Sequence, residues 1–271
     1  MRNRMTRRVV HAVLVATSSS WASLAAGHDT WLLPARFDLP AGGRIVLELT
    51  SGMGFPAPGS SIQPNRLAAT GFRIAGRTLR LDAGNPDKTA LRLSGRSSGP
   101  GVAALWVVTR PRTLSLTPTE VQEYLREIGA AEEVESRWRR QQRWRETYVK
   151  LAKTFVRVGQ PTADPSWREP VGLALEIVPL TDPTTLLVGS ELSVQVLRDG
   201  KPWPRFSVSA VSSAANEPIM RSTDGDGRAV FSLDRPGPWL LRGTLIEPSS
   251  SPDADWHSLF TTLTVWVAPA P

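Results

Sequence analysis

The sequence predicts a mainly β protein: two β-sandwich domains, the C-terminal one transthyretin- or fibronectin-like, with a helical insertion in the first. Three observations predict it. Short runs of alternating apolar and polar residues recur between Gly, Pro and Ser turns from residue 35 to 115 and again from 171 to 269, the pattern of antiparallel sandwiches. One intervening stretch, at about 117–153, changes to helical period. The chain has no cysteine, so its fold must rest on apolar cores without disulfides.

The chain opens with MRNRMTRR, which carries four arginines and no acid; Val9 to Ala16 is mostly apolar, and Ser18 to Gly27 is rich in small residues. That order predicts a Sec-type signal peptide over residues 1–27. The apolar run is far shorter than the roughly 20 residues that span a bilayer. The expected product is periplasmic or secreted, with no transmembrane segment after cleavage. Without a cysteine it is not a lipoprotein. Four of the 32 basic residues lie in the signal, leaving 28 against 25 acidic ones. So weak a positive balance gives no case for nucleic acid as a partner.

Residues 28–159 are expected to form the N-terminal sandwich. "GRIVLELTSG" alternates Ile45, Leu47 and Leu49 with Val46, Glu48 and Thr50, whereas "GVAALWVVTRP" is a continuously apolar, buried type of strand. In the helical stretch Thr117 can N-cap, Pro118 suits the first position and Glu120 completes a capping box. Val121, Tyr124, Leu125 and Ile128 share one face, and Gly129 ends the helix. A second helix is expected from about Ala131 to Leu151, with "TFVRV" at 154–158 resuming the sheet. Residues 160–170, "QPTADPSWREP", form a Pro-rich connector. The second sandwich follows over 171–271, with Asp199-Gly200 as a hairpin turn.

His28 is the sharpest candidate for chemistry. Cleavage after Gly27 makes it the first residue, where α-amine and imidazole can chelate one ion. Cleavage after Ala25 leaves Ala-Gly-His, a planar nitrogen set suited to Cu(II) or Ni(II). Asp29 could add an oxygen or orient the imidazole. The plainer alternative makes His28-Asp29-Thr30-Trp31 the start of a strand, with Trp31 in the core. "TDGDGR" lacks the later ligands of a calcium loop and reads as a tight turn. "SRWRRQQRWRETYVK" reads as a solvated helix face, with Glu132, Glu133, Glu135 and Glu146 pairing its arginines and two Trp rings packing on the sandwich. Its alternative is a docking surface. There is no G-x-S-x-G elbow and no phosphate-binding glycine loop, so no catalytic role is expected.

Taken in order, "HDTWLLP", "EYLREIGAAEEV", "RETYVKLAKTFVRVG", "GLALEIVPLTDP", "LSVQVLRDGKPWP", "TDGDGRAVFSLDRPGPWLLR" and "DWHSLFTTLTVWV" resemble the bacterial exported proteins grouped as DUF4198, formerly labelled NikM-like. The resemblance implies an exported two-part β protein, linked at family level to nickel or cobalt uptake. Where members often carry a His after the "WLLR" strand, this chain has Leu245, and the usual Trp-acidic-Ser is Trp256-His257-Ser258. The expected function is therefore a non-enzymatic accessory to nickel, cobalt or copper handling, with His28, Asp29 and His257 as metal ligands. A membrane metal transporter or another envelope protein is the expected partner. The alternative is an envelope interaction module with no specific metal.

Overall fold

The computed structural model describes residues 28–270 except 98, 161 and 214–216; the expected signal peptide lies outside the described residues. The N-terminal half contributes β1 (Asp29–Pro34), β2 (Asp38–Leu39), β3 (Arg44–Gly52), β4 (Ser60–Ser61) and β5 (Leu67–Ile74). It continues through β6 (Arg77–Leu79), β7 (Asp82–Pro86), β8 (Leu91–Arg96), β9 (Gly101–Thr109) and β10 (Arg112–Ser115). Two helices follow, α1 (Pro118–Glu127) and α2 (Glu132–Gln141), and then the long strand β11 (Arg145–Val158). The remainder is β12 (Leu175–Pro179), β13 (Ser190–Arg198), β14 (Lys201–Pro202) and β15 (Ser207–Ser212). It ends with β16 (Ile219–Ser222), β17 (Arg228–Leu233), β18 (Gly237–Pro248) and β19 (Trp256–Val267).

The mainly β sandwich architecture is as expected, but its layering adds something. A ten-stranded sheet in the order β16-β15-β18-β19-β11-β9-β5-β6, with β2 and β10 on β11, draws strands from both halves. Ala103, Leu105 and Val107 of β9 pack with Ile45, Leu47 and Leu49 of β3. From the same strand, Val102 and Ala104 point the other way and pack with Leu192, Val194 and Val196 of β13. The long sheet is thus a middle layer, with β1-β3-β8-β7 on one face and the sheet of β12, β13, β14 and β17 on the other. A strand covered on both faces needs apolar side chains at successive positions, which explains "GVAALWVV".

The halves are stitched by β19, which runs parallel to β11 from Glu146↔Trp256 to Thr154↔Thr264 and antiparallel to β18. The connector at 160–170 therefore separates two stretches of sequence while the central sheet continues through both. Local signals were sound. Thr117 and Glu120 form the capping box of α1. Asp199 and Gly200 both have positive φ, at 50° and 76°, and turn β13 into β14 as a two-residue hairpin does. The Asp224 carboxylate accepts from the backbone N–H of Asp226 and Arg228, so "TDGDGR" is a turn.

The second helix is shorter than its sequence implied. It ends at Gln141, and Gln142 takes a left-handed conformation (φ 54°) with its N–H bonded to Trp138 O. Residues 145–158 are strand throughout. Their Arg, Glu and Lys content favours helix locally, but pairing with β19, about 110 residues away, overrides that preference. Glu146 is a second correction. It does not pair with an arginine; it is fully buried, accepting from Tyr124 Oη at 3.1 Å and Trp144 Nε1 at 2.6 Å. Burial raises its pKa.

Candidate functional site

His28 sits partly buried just ahead of β1, and its carbonyl accepts a hydrogen bond from Lys150 Nζ at 2.5 Å. Asp29 reaches across to β18, where Arg242 Nη1 lies 2.5 Å from its carboxylate. The same Arg242 Nη1 lies 3.5 Å from Glu127 at the end of α1, and its Nε donates to Ser209 Oγ at 3.1 Å. Thr262 Oγ1 donates to Thr30 O at 2.6 Å, so β1 is pinned to β19 as well. Burial is the largest influence on His28, Asp29, Glu127 and Lys150. It lowers His28, helped by Lys150, and raises Asp29 against the pull of Arg242. It also raises Glu127, and it pushes Lys150 down to about 8.

The three expected ligands are not brought together. His28 and Asp29 are neighbours, but the Asp29 carboxylate is already held by Arg242. His257 lies on the opposite face of the central sheet. Trp256 and Phe260 of β19 pack with the helices, while Leu259 and Leu263 face the four-stranded sheet, and His257 shares the parity of the latter. It is also five residues, about 16 Å of strand, from the Thr262 that touches Thr30. Two cations, Lys150 and Arg242, flank the His28–Asp29 corner. Among the described residues no group of three or more His, Asp or Glu is arranged to hold a metal.

A wide cleft lies elsewhere, between the helices and the sheet. Its volume is about 730 Å³, within the roughly 300–1,000 Å³ of small-molecule sites. One wall is the turn and second helix of the insertion, with Ile128, Val134, Arg137 and Arg140; the other is the 203–206 loop and the β18 segment Thr244–Pro248. Trp256 lies at the floor, stacked on Trp144 with ring centroids 4.8 Å apart, and the Arg137 guanidinium is 5.7 Å above its ring. Gly129, at φ +61°, brings the helix turn so close to β15 that an added Cβ would stand 2.8 Å from Ser207 Oγ. The opposite wall is equally fixed. Thr223 Oγ1 donates to Trp203 O and accepts from Phe206 N, while Arg205 is held at φ 54°. A non-glycine residue in that conformation costs energy that surrounding contacts must offset.

The cleft arginines differ from their neighbours in sequence. Arg139 pairs with Glu135, while Arg143 and Arg145 both pair with Asp255. Among the described residues, Arg137, Arg140 and Arg205 form no salt bridge. Of the acids at the rim, Glu247 is bound to Arg198 at 3.1 Å. The sequence reads the whole basic run as one solvated face, or as a docking surface, without separating its arginines. The signal it lacked was which acids fold back onto which arginines.

Fold and site together define a β-sandwich protein with a helix-walled basic cleft. The chain belongs to the DUF4198 family, a domain of unknown function, whose model matches residues 25–246. No curated protein matches it. Among solved structures, the D0–D1 domain of intimin is 15% identical, with 87% of this chain and 97% of that one covered and a TM-score of 0.24. A DUF4785 family protein from Legionella pneumophila is 7% identical, with 77% and 49% covered and a TM-score of 0.24. The mouse nectin-like molecule 4 ectodomain is 8% identical, with 90% and 65% covered and a TM-score of 0.21. Among the described residues no helix is long and apolar enough to cross a membrane.

Proposed function

We propose that the chain is a non-enzymatic binding module of the cell envelope whose recognition site is the cleft between the helical insertion and β18. The observation that carries this reading is the construction of the cleft. It has apolar walls, a tryptophan floor and three arginines without acidic partners, all held on rigid elements. The neutral dye Nile red tests it. One dye molecule is expected to bind per chain, and Ala131→Trp, at an exposed rim position, is expected to weaken binding at least tenfold. Binding that ignores the rim tryptophan would count against the cleft.

Metal handling is the second reading, favoured by one feature: burial and Lys150 lower the His28 pKa, which favours the neutral imidazole that ligates metals. Such a site would use the His28 imidazole with the α-amine of the cleaved chain, because Asp29 is committed to Arg242. Native mass spectrometry of the exported chain with Ni(II) and Cu(II) separates the readings. Uptake of one ion by a chain beginning at His28 or Ala26, lost in His28→Ala, would establish the metal site. Equal uptake by that variant would remove it.

A further inference from the structure

Two buried donors at the cleft have no acceptor among the described residues: the Trp256 indole Nε1 and the Arg137 Nε. Trp256 is 0% exposed, so a molecule in the cleft senses it through Arg137, whose guanidinium lies 5.7 Å above its ring. A buried donor left unpaired is costly, and the economical remedy is an acceptor delivered by something bound. Beside these donors, Arg137, Arg140 and Arg205 supply positive charge and form no salt bridge among the described residues. Arg guanidinium groups favour planar, bidentate acceptors. The remaining lining mixes apolar residues, including Phe206 and Leu245, with Ser207, Thr244, Glu133 and Glu247.

On these grounds, and resting on the reading of the cleft as a binding site, we propose that its ligand is a small molecule joining a carboxylate to an apolar body. The carboxylate sits among the arginines and accepts from their guanidinium N–H groups. The apolar body lies along Phe206, Leu245 and Val134. Charge selects for a monoanion: Glu133 and Glu247 also line the cleft, and they oppose a more highly charged head.

Sub-micellar decanoate is the probe, with decanol as its uncharged counterpart. Binding is read by calorimetry and by the Trp256 indole N–H resonance, assigned through its absence in Trp256→Phe. Decanoate is expected to bind one to one, to shift that resonance by drawing Arg137 from its place over the ring, and to bind at least tenfold more tightly than decanol. The exposed and half-exposed pair Arg137→Gln/Arg140→Gln should lose at least tenfold for decanoate and nothing for decanol. Arg139→Gln, which breaks only the Glu135 pair, should bind as the parent does. Equal affinity for acid and alcohol, or an unmoved Trp256 resonance, would overturn the ligand class. If Nile red still binds one to one in that case, the cleft stands without the carboxylate; if neither binds, both readings fall.

Discussion

Glu176→Ala should destabilise the chain by about 3–5 kcal/mol, the cost of breaking a buried ion pair from one side. For a protein of this size that corresponds to a fall in Tm on the order of 10 °C. Glu176 and Lys153 are each 1% exposed in their side chains, with Nζ and Oε1 2.5 Å apart. The carboxylate also accepts from the backbone N–H groups of Val171, Gly172 and Leu173, so it closes the turn into β12 as well. Removing it strands an ammonium, whose pKa burial already lowers, together with three backbone donors. Lys153→Met should cost clearly less, because the carboxylate keeps its three donors and Met suits the apolar surroundings. Thermal denaturation of both variants checks the asymmetry. Equal losses would mean that the backbone bonds contribute little.

The second large effect is expected from Arg242→Met, about 2–3 kcal/mol at neutral pH. Arg242 links Asp29 at the start of β1, Glu127 at the end of α1 and Ser209 of β15. Its loss leaves Asp29 buried without its cation. The pH dependence has a definite sign. Burial raises Asp29 even with Arg242 present, and more so without it, so the folded variant holds a proton that the unfolded chain releases above about pH 4. Stability from that proton is complete below the unfolded pKa and disappears as pH rises through the folded one. The deficit of the variant should therefore be small near pH 4 and full near pH 7. A deficit that stays constant with pH would show that Arg242 acts by packing rather than by charge.

Much of the fold was legible because its signals are local. The Thr117–Glu120 capping box, the Asp199-Gly200 turn and the alternation around Ile45, Leu47 and Leu49 each depend on residues within a few positions. The 145–151 stretch was misread because what makes it a strand is Trp256 to Thr264, at the far end of the chain. A period of two was present in Trp144, Glu146, Tyr148 and Lys150, but helix-favouring charges masked it. The cleft was invisible for the same reason. Asp255 neutralises Arg143 and Arg145, and only the folded chain shows that Arg137 and Arg140 receive nothing comparable.

The position of β19 has a consequence for the order of assembly. Its neighbours, β11 and β18, are complete once residue 248 is made, yet neither has its common partner until the final strand arrives. A chain that emerges from its N-terminus therefore carries two open sheet edges, nine residues of β11 and twelve of β18, each able to pair with another molecule. Insertion of the last strand seals both at once, in the manner of a keystone. Aggregation should consequently be governed by the interval before β19 is made, and a chain lacking β19 should associate with itself even though both flanking layers can form.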